Sequence, residues 1–250
     1  MQLSIVVPVR NEAENILPLL AEIHAALDGP LVKFGDFEVI YIDDGSSDAT
    51  PQRLAEALAR YARLRVLVHR ERYGQSAALL TGFRAARGEW IATLDGDGQN
   101  DPADIPRLLA ARDGAVRGGA ARADLQLISG MRTNRKDSWL KRVASRIANR
   151  VRSGLLGDAT PDTGCGLKLI ARAACLELPV FDHMHRFLPA LVQRNGGATI
   201  CVEVNHRPRT RGVSNYGVAD RLWIGVVDLA GVLWLKRRAL QPRAKELPRP

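Results

Sequence analysis

The chain is poor in several things at once. It has 3 cysteines in 250 residues, too few and too scattered for a disulfide framework. Cys165, Cys175 and Cys201 form no CxxC pair, so the thiols read as reduced, buried packing residues. Aromatics make up only 5%, and neither zinc-finger spacing nor an aromatic RNP motif is present, which argues against a basic nucleic-acid binder. No apolar run reaches the roughly 20 residues that a spanning helix needs. The most apolar late stretch, Trp223 to Leu235, is interrupted by Asp228. The opening Leu3–Pro8 reads as a strand rather than as a leader peptide. A GxGxxG after the first strand and a GxxxxGK[S/T] loop are both missing, so neither a dinucleotide site nor a P-loop is expected.

What is present is ordinary globular material: 46% hydrophobic and 25% charged residues. The formal net charge of +9 speaks of anionic partners rather than of fold. Nucleic acid, an anionic membrane surface and phosphorylated substrates all suit it.

Short apolar runs alternate with amphipathic ones. Strands are expected at Leu3–Pro8, Phe37–Asp43, Leu64–His69 and Glu89–Leu94. Helices are expected at Glu12–Leu27, from Asp48 to about Arg60 with Asp48 as cap, and at Gln75–Ala86. This rhythm predicts an α/β fold with a mostly parallel, Rossmann-like sheet flanked by helices. Later strands are expected at Leu125–Gly130, Gly166–Ile170 and Thr199–Val204. Helices are expected at Trp139–Leu156, Arg186–Asn195 and Val218–Arg238. The predicted division is a catalytic domain over 1–217, a C-terminal helix over 218–240 and a loose tail over 241–250.

Ligands of such sheets sit beyond the carboxyl ends of the strands. Two acidic motifs fall there. In Asp95-Gly-Asp-Gly-Gln99 two carboxylates separated by one residue can converge on a hard cation, Mg²⁺ or Mn²⁺, shared with substrate phosphates. Gly96 and Gly98 leave room for a diphosphate near the backbone. A calcium EF-hand is excluded, because its sixth and twelfth positions hold Asn100 and Pro106. In Asp43-Asp-Gly-Ser-Ser-Asp48 one carboxylate can accept a nucleobase N–H. His183 and His185 form an HxH that is not completed to a zinc set.

Three segments in this order, Ile5-Val-Val-Pro-Val-Arg-Asn-Glu12, Tyr41-Ile-Asp-Asp-Gly-Ser-Ser-Asp48 and Leu94-Asp-Gly-Asp-Gly-Gln99, resemble family 2 glycosyltransferases with the GT-A fold. The resemblance extends to about Tyr216. It implies that Pro8, Arg10, Glu12, Asp44, Asp95 and Gly96 line the nucleotide-sugar. Arg10 stands where an aromatic is common. Asp95, Asp97 and Gln99 would hold the metal.

Later segments resemble the polyprenyl-phosphate branch, similar to dolichyl-phosphate mannose synthases. Ser129-Gly-Met-Arg132 matches its GxR turn, placing Arg132 at the donor diphosphate. Trp139–Asn149 matches its acceptor helix, with Lys141, Arg142 and Ser145 facing the lipid phosphate. Asp162-Thr-Gly-Cys-Gly-Leu-Lys168 resembles D-x-x-x-G-F-R, with Leu and Lys in place of Phe and Arg. His206–Tyr216 resembles RPRxxGxSKY; Arg209 and Ser214 match, and Asn215 replaces a lysine. The QxxRW helix of polysaccharide-elongating members is missing.

The resemblance implies an inverting, metal-dependent hexosyl transfer from GDP-mannose or a UDP-hexose or hexuronate to a polyprenyl phosphate. Asp97, Arg132 and Arg209 would act at the transition state. The implied place is the cytoplasmic face of a membrane, held peripherally, with room for a membrane-protein partner. Trp223–Leu235 followed by Lys236-Arg-Arg238 suits an interfacial helix, and equally a helix packed on the sheet. The competing readings are a family 2 enzyme with another cell-envelope acceptor, a binding-only relative without catalysis, and the nucleic-acid binder disfavoured above.

Overall fold

A computed structural model describes residues 1–28, 36–117, 124–133, 152–158, 160–208 and 219–240. Seven strands form one sheet: β1 Leu3–Val9, β2 Phe37–Asp43, β3 Leu64–Val68, β4 Trp90–Thr93, β5 Leu125–Arg132, β6 Lys168–Ala171 and β7 Ala198–Val204. Their order across the sheet is β3-β2-β1-β4-β6-β5-β7. Every pairing is parallel except those of β6, which runs antiparallel to both β4 and β5.

The helices are α1 Ile16–Leu27, α2 Thr50–Arg60, α3 Gln75–Ala85, α4 Ile105–Arg117, α5 Arg172–Leu176, α6 Leu188–Arg194 and α7 Ala219–Arg237. Residues 152–156 form a further helical turn. Alternation along β1 sorts them onto two faces. Leu3, Ile5, Val7 and Val9 pack in one core with Ile16, Leu20 and Ile23 of α1, Leu54 of α2 and Leu108 of α4. Val6 belongs to the opposite core, with Ala78 and Phe83 of α3, Leu188 and Leu191 of α6 and Val232 of α7. The sheet is thus covered on both sides, as the near-continuous burial of β1 and β2 requires.

Pro8 is tolerated inside β1 for a specific reason. It points to the same side as Val6, whose carbonyl takes the Leu94 N–H at 3.1 Å. The β1–β4 pairing ends at Val6 opposite Thr93, so the missing Pro8 N–H costs no ladder bond.

Several expectations are corrected. Helix α1 starts at Ile16 rather than Glu12. Asn11 takes a left-handed φ of 55°, and the Asn11 and Glu12 N–H groups bond Ser46 Oγ and Thr50 Oγ1, both at 2.9 Å. Asn15 N then donates to Glu12 O at 2.9 Å, closing a separate turn ahead of the helix. Asp48 does support the start of α2, accepting from Thr50 N at 2.9 Å. Helices α4 and α5 were not foreseen. Most of the expected Trp139–Leu156 helix lies outside the described residues. Cys165 and Cys175 are buried, but Cys201 is exposed.

Candidate active site

Strand order reverses at β1: the chain leaves it toward β2 and β3, then returns on its other side as β4. Parallel sheets open a crevice at such a switch, beyond the carboxyl ends of the strands. Arg10 follows β1, Asp44 follows β2 and Asp95 follows β4 by one residue, so all three stand on that rim.

Asp44 is buried, with 4% exposure. One oxygen, Oδ1, accepts from Tyr73 N and lies against His69 Nδ1, both at 2.8 Å. Oδ2 accepts from Gly74 N at 2.8 Å. The loop between β3 and α3 therefore wraps this carboxylate, and Gly74 with φ 93° makes the turn that delivers two N–H groups. Gly45 must be small: a Cβ would lie 2.7 Å from the Glu71 carbonyl carbon. Asp44 has about four acceptor positions, and three are taken. Beside it, across the β1–β2 register that ends at Val9 and Asp43, Arg10 Nε is buried and bonds nothing. A buried N–H donor without a partner is costly unless a ligand satisfies it.

Asp95 is held differently. Its Oδ1 accepts from Gln75 Nε2 at 2.9 Å, and its own N–H donates to Asn100 Oδ1 at 3.0 Å. Burial first, and then the Asp97 carboxylate, push the Asp95 carboxyl up to about 6. Lys168, Arg132 and the Gln75 amide pull the other way. Asp97 Oδ1 accepts from Gln99 N at 3.1 Å, which folds the motif into a turn completed by Gly98 at φ 73°. Gly96 serves packing more than access: its Cβ would meet Val9 Cγ1 at 2.5 Å and the Pro8 carbonyl oxygen at 2.9 Å. Gly166 is pressed against the site itself, since a Cβ there would lie 2.1 Å from Asp95 Oδ2.

Behind Asp95 lies a fixed cation. Lys168 opens β6 between Thr93 of β4 and Ser129 of β5 and is 3% exposed. Its ammonium donates to the carbonyls of Thr163 and Cys165. Burial pushes it below the ordinary lysine range, against the opposing pull of Cys165, Asp95 and Asp162. Arg132 is gripped by Asp162 through Nε and Nη2, each at 2.7 Å. That bidentate pair fixes the guanidinium plane beside the rim and leaves Nη1 outside it. Burial raises the Cys165 thiol, consistent with a packing residue.

The Asp95–Gln99 turn is also tied to the later chain. Asn100 bridges His206, and Arg207 N donates to Gln99 O at 3.0 Å. Gln99 Nε2 reaches Arg207 O at 3.5 Å. The Arg207 guanidinium pairs with Glu22 at 2.5 Å and Asp101 at 2.6 Å. This anchors the stem of the segment that continues to Arg209 and Ser214.

Eight of the expected residues thus meet on one rim: Pro8, Arg10, Asp44, Asp95, Gly96, Asp97, Gln99 and Arg132. Glu12 stands one layer back, its Oε2 accepting from Asn15 Nδ2 at 2.6 Å. Lys141, Arg142, Ser145, Arg209 and Ser214 lie outside the described residues. Sequence reasoning passed over Gln75, His69, Asp162, Gly166 and Lys168. The last three stood in a segment whose resemblance was noted without a role for each residue; nothing in sequence marked Gln75 or His69. The HxH pair is structural: His183 Nδ1 lies 3.1 Å from Asp228 Oδ2, and His185 Nδ1 lies 2.8 Å from Ser76 Oγ.

The donor set fits a hard divalent cation. Asp95, Asp97 and Gln99 offer only oxygen ligands, and the two carboxylates repel until a cation joins them. Among the described residues no third carboxylate, histidine or thiol completes an all-protein cage. The remaining positions suit phosphate oxygens or water.

Comparisons with known proteins bear on the family and the fold. The family model described as Glycosyl transferase family 2 matches residues 4–177. Dodecaprenyl-phosphate galacturonate synthase of Rhizobium johnstonii is 35% identical, over 97% of this chain and 69% of its own length. Undecaprenyl-phosphate 4-deoxy-4-formamido-L-arabinose transferase of Aeromonas hydrophila is 35% identical, over 86% of this chain and 63% of its own length. The chain thus spans about two thirds of these relatives. A crystal structure of glucosyl-3-phosphoglycerate synthase from Mycobacterium tuberculosis, with Mn²⁺, UDP and glucosyl-3-phosphoglycerate, aligns with a TM-score of 0.65 at 19% identity, over 97% of this chain and 81% of that one. At that identity the likeness shows the fold, which is the expected GT-A arrangement. Fold, site rim and family model converge on one conclusion: the chain belongs to glycosyl transferase family 2.

Proposed function

We propose that the chain transfers a hexosyl or hexuronosyl group from a uridine-diphospho-sugar to a polyprenyl phosphate, with a divalent cation bound at Asp95, Asp97 and Gln99. The observation that carries this reading is the rim itself: a mutually repelling carboxylate pair beside Arg10 and Asp44, in a chain related to two polyprenyl-phosphate sugar transferases.

Uracil fits Asp44 better than guanine does. Guanine presents two adjacent donors, which call for both oxygens of a carboxylate. Asp44 has one acceptor position open, enough for the single N3–H of uracil. The flanking uracil carbonyls suit an N–H donor such as Arg10 Nε. UDP is also the nucleotide bound in the mycobacterial neighbour.

When bound, the cation supplies charge neutralisation for the diphosphate. Gln75 and Lys168 keep Asp95 in place and ionisable. Arg132, its plane fixed by Asp162, offers its outer edge to the departing nucleoside diphosphate. The acceptor phosphate has a second pKa near ~6 and is largely dianionic at neutral pH. Its oxygen attacks the anomeric carbon as the carbon–oxygen bond to the diphosphate breaks, with inversion and without a protein base. By resemblance Lys141, Arg142, Ser145, Arg209 and Ser214 receive that phosphate.

The helix α7 supports a peripheral membrane position. Leu229, Val232 and Leu233 dock on the core, and Arg194 Nε donates to Leu235 O at 2.9 Å. Val226, Val227 and Trp234 face outward, with Trp234 60% exposed. Arg237 and Arg238 follow them. One face of this helix packs on the core, and the outward face is the one that would meet a membrane surface. No helix among the described residues is long and apolar enough to cross a membrane. An exposed apolar stripe ending in cations suits an anionic bilayer surface.

The test is transfer of labelled sugar from a panel of UDP- and GDP-sugars to a short polyprenyl phosphate, with Mg²⁺ or Mn²⁺ and with EDTA. Cation-dependent formation of one polyprenyl-phosphate sugar is expected from a UDP donor. Donor binding without lipid transfer would move the acceptor to another cell-envelope glycan.

A further inference from the structure

We propose that His69 is a positioning residue that locks Asp44 into its base-reading pose and thereby sets uracil selectivity. The proposal rests on the reading of Asp44 given above.

Three groups stand in line. Thr81 Oγ1, within α3, lies 2.9 Å from His69 Nε2, and His69 Nδ1 lies 2.8 Å from Asp44 Oδ1. The Tyr73 and Gly74 N–H groups can only donate, so the carboxylate is the acceptor throughout. His69 Nδ1 therefore carries the proton that points at Asp44. In the neutral ring, Nε2 must then accept from the Thr81 hydroxyl. The Tyr73 ring closes the side of the imidazole edge-on, with centroids 5.3 Å apart at 82°. Side chains of Asp44 and His69 are 6% and 12% exposed, so water does not readily replace this contact.

The consequence is directional. His69 and Tyr73 N occupy Oδ1, and Gly74 N takes one position of Oδ2. What remains is a single acceptor position with a fixed direction. Without His69 only backbone donors hold the carboxylate, and Oδ1 regains an open position. The carboxylate can then turn, or accept a paired donor, so both affinity for uracil and discrimination against other bases fall. Cytosine gives the sharpest contrast, because its N3 is an acceptor where uracil has N3–H, and it meets the carboxylate with like polarity.

The side-chain chemistry supplies a conservative control. The amide nitrogen of asparagine occupies the place of imidazole Nδ1, and that of glutamine lies nearer Nε2. H69N keeps a donor on Asp44; H69Q keeps a group near Thr81 and loses that donor. UDP and CDP binding to the full chain with Mn²⁺ is measured by calorimetry for wild type, H69A, H69Q, H69N and T81V, with melting curves alongside. Wild type is expected to favour UDP. In H69A and H69Q the UDP dissociation constant rises about 10-fold and the UDP/CDP ratio falls by a similar factor, about what one lost charged hydrogen bond implies. H69N returns both to within about 3-fold of wild type, and T81V falls between. In the transfer assay the loss falls on donor KM more than on kcat.

If H69A does not fold, the asparagine and glutamine variants decide. A UDP/CDP ratio in H69Q equal to wild type would overturn the role of His69 while leaving base reading by Asp44 intact. Equal binding of UDP and CDP by wild type would instead remove the reading of Asp44, and this proposal with it.

Discussion

The rim beyond β2 and the rim beyond β4 each present an aspartate at the end of a buried strand, yet the fold treats them in opposite ways. Asp44 is surrounded by donors, two of them backbone N–H groups. Asp95 has one neutral amide, a like-charged neighbour and two cations that bond elsewhere, and its carboxyl is pushed up to about 6. A satisfied carboxylate is a rigid acceptor and suits recognition of an uncharged N–H. An under-satisfied one invites a cation. On the proposed reading, the same residue type in the same topological position serves as a base reader or a metal ligand according to what the adjoining loop delivers.

Substitution separates the two most sharply. D97N or D95N is expected to lower sugar transfer about 100-fold or more, by removing charge that would hold the cation. D95N should leave the metal-free melting temperature unchanged or raised, because it relieves like-charge repulsion. D44A should lower it, by about 1–3 kcal/mol of unfolding free energy, since buried donors lose their acceptor. Equal melting behaviour of D95N and D44A would break the contrast.

Gly166 tests the same rim sterically. A Cβ there meets Asp95 Oδ2 at 2.1 Å, so G166A should weaken Mn²⁺ binding about 10-fold by displacing one ligand. Calorimetry with Mn²⁺ checks it; unaltered affinity would show that Asp95 has room to move.

The pH dependence follows from the raised value of Asp95. Its folded value, about 6, lies above the ordinary 3.8. Between these values the metal-free fold binds the proton more tightly than the unfolded chain does, so this group's contribution to stability falls as pH rises through that window. A cation competes with that proton. The rise in melting temperature on adding Mn²⁺ should therefore be larger at pH 7.5 than at pH 5. A rise independent of pH would mean that Asp95 is not a ligand.

The smallest effect concerns α7. Replacing Val226, Val227 and Trp234 by serine should reduce flotation with anionic liposomes several-fold while sparing the fold, because these side chains face outward. Equal flotation would leave α7 as a core helix only.

Much of the donor rim was legible in sequence. Strands β1, β2 and β4 are short apolar runs ending in carboxylates or Arg10, and a parallel sheet puts such ends together. What escaped depended on contacts between distant segments. Nothing local marks β6 as antiparallel, so the placement of Lys168 between Thr93 and Ser129 was invisible. Helix α4 carries Pro106 and Gly114, which weaken a helical pattern in sequence, although proline is permitted in a first turn. The late start of α1 goes with the left-handed Asn11 and the turn closed by Asn15 N and Glu12 O, in a segment tied to Ser46 and Thr50 some 35 residues away. Above all, the two aspartates look alike as strand-end residues; only the loop carrying His69, Tyr73 and Gly74 tells them apart.

The most direct test of the central claim is cation-dependent transfer from paired UDP- and GDP-sugars to a polyprenyl phosphate. The account predicts a glycosylated polyprenyl phosphate from a UDP donor, abolished by EDTA and by D97N. Product from a GDP donor alone, or product unaffected by EDTA, would contradict it.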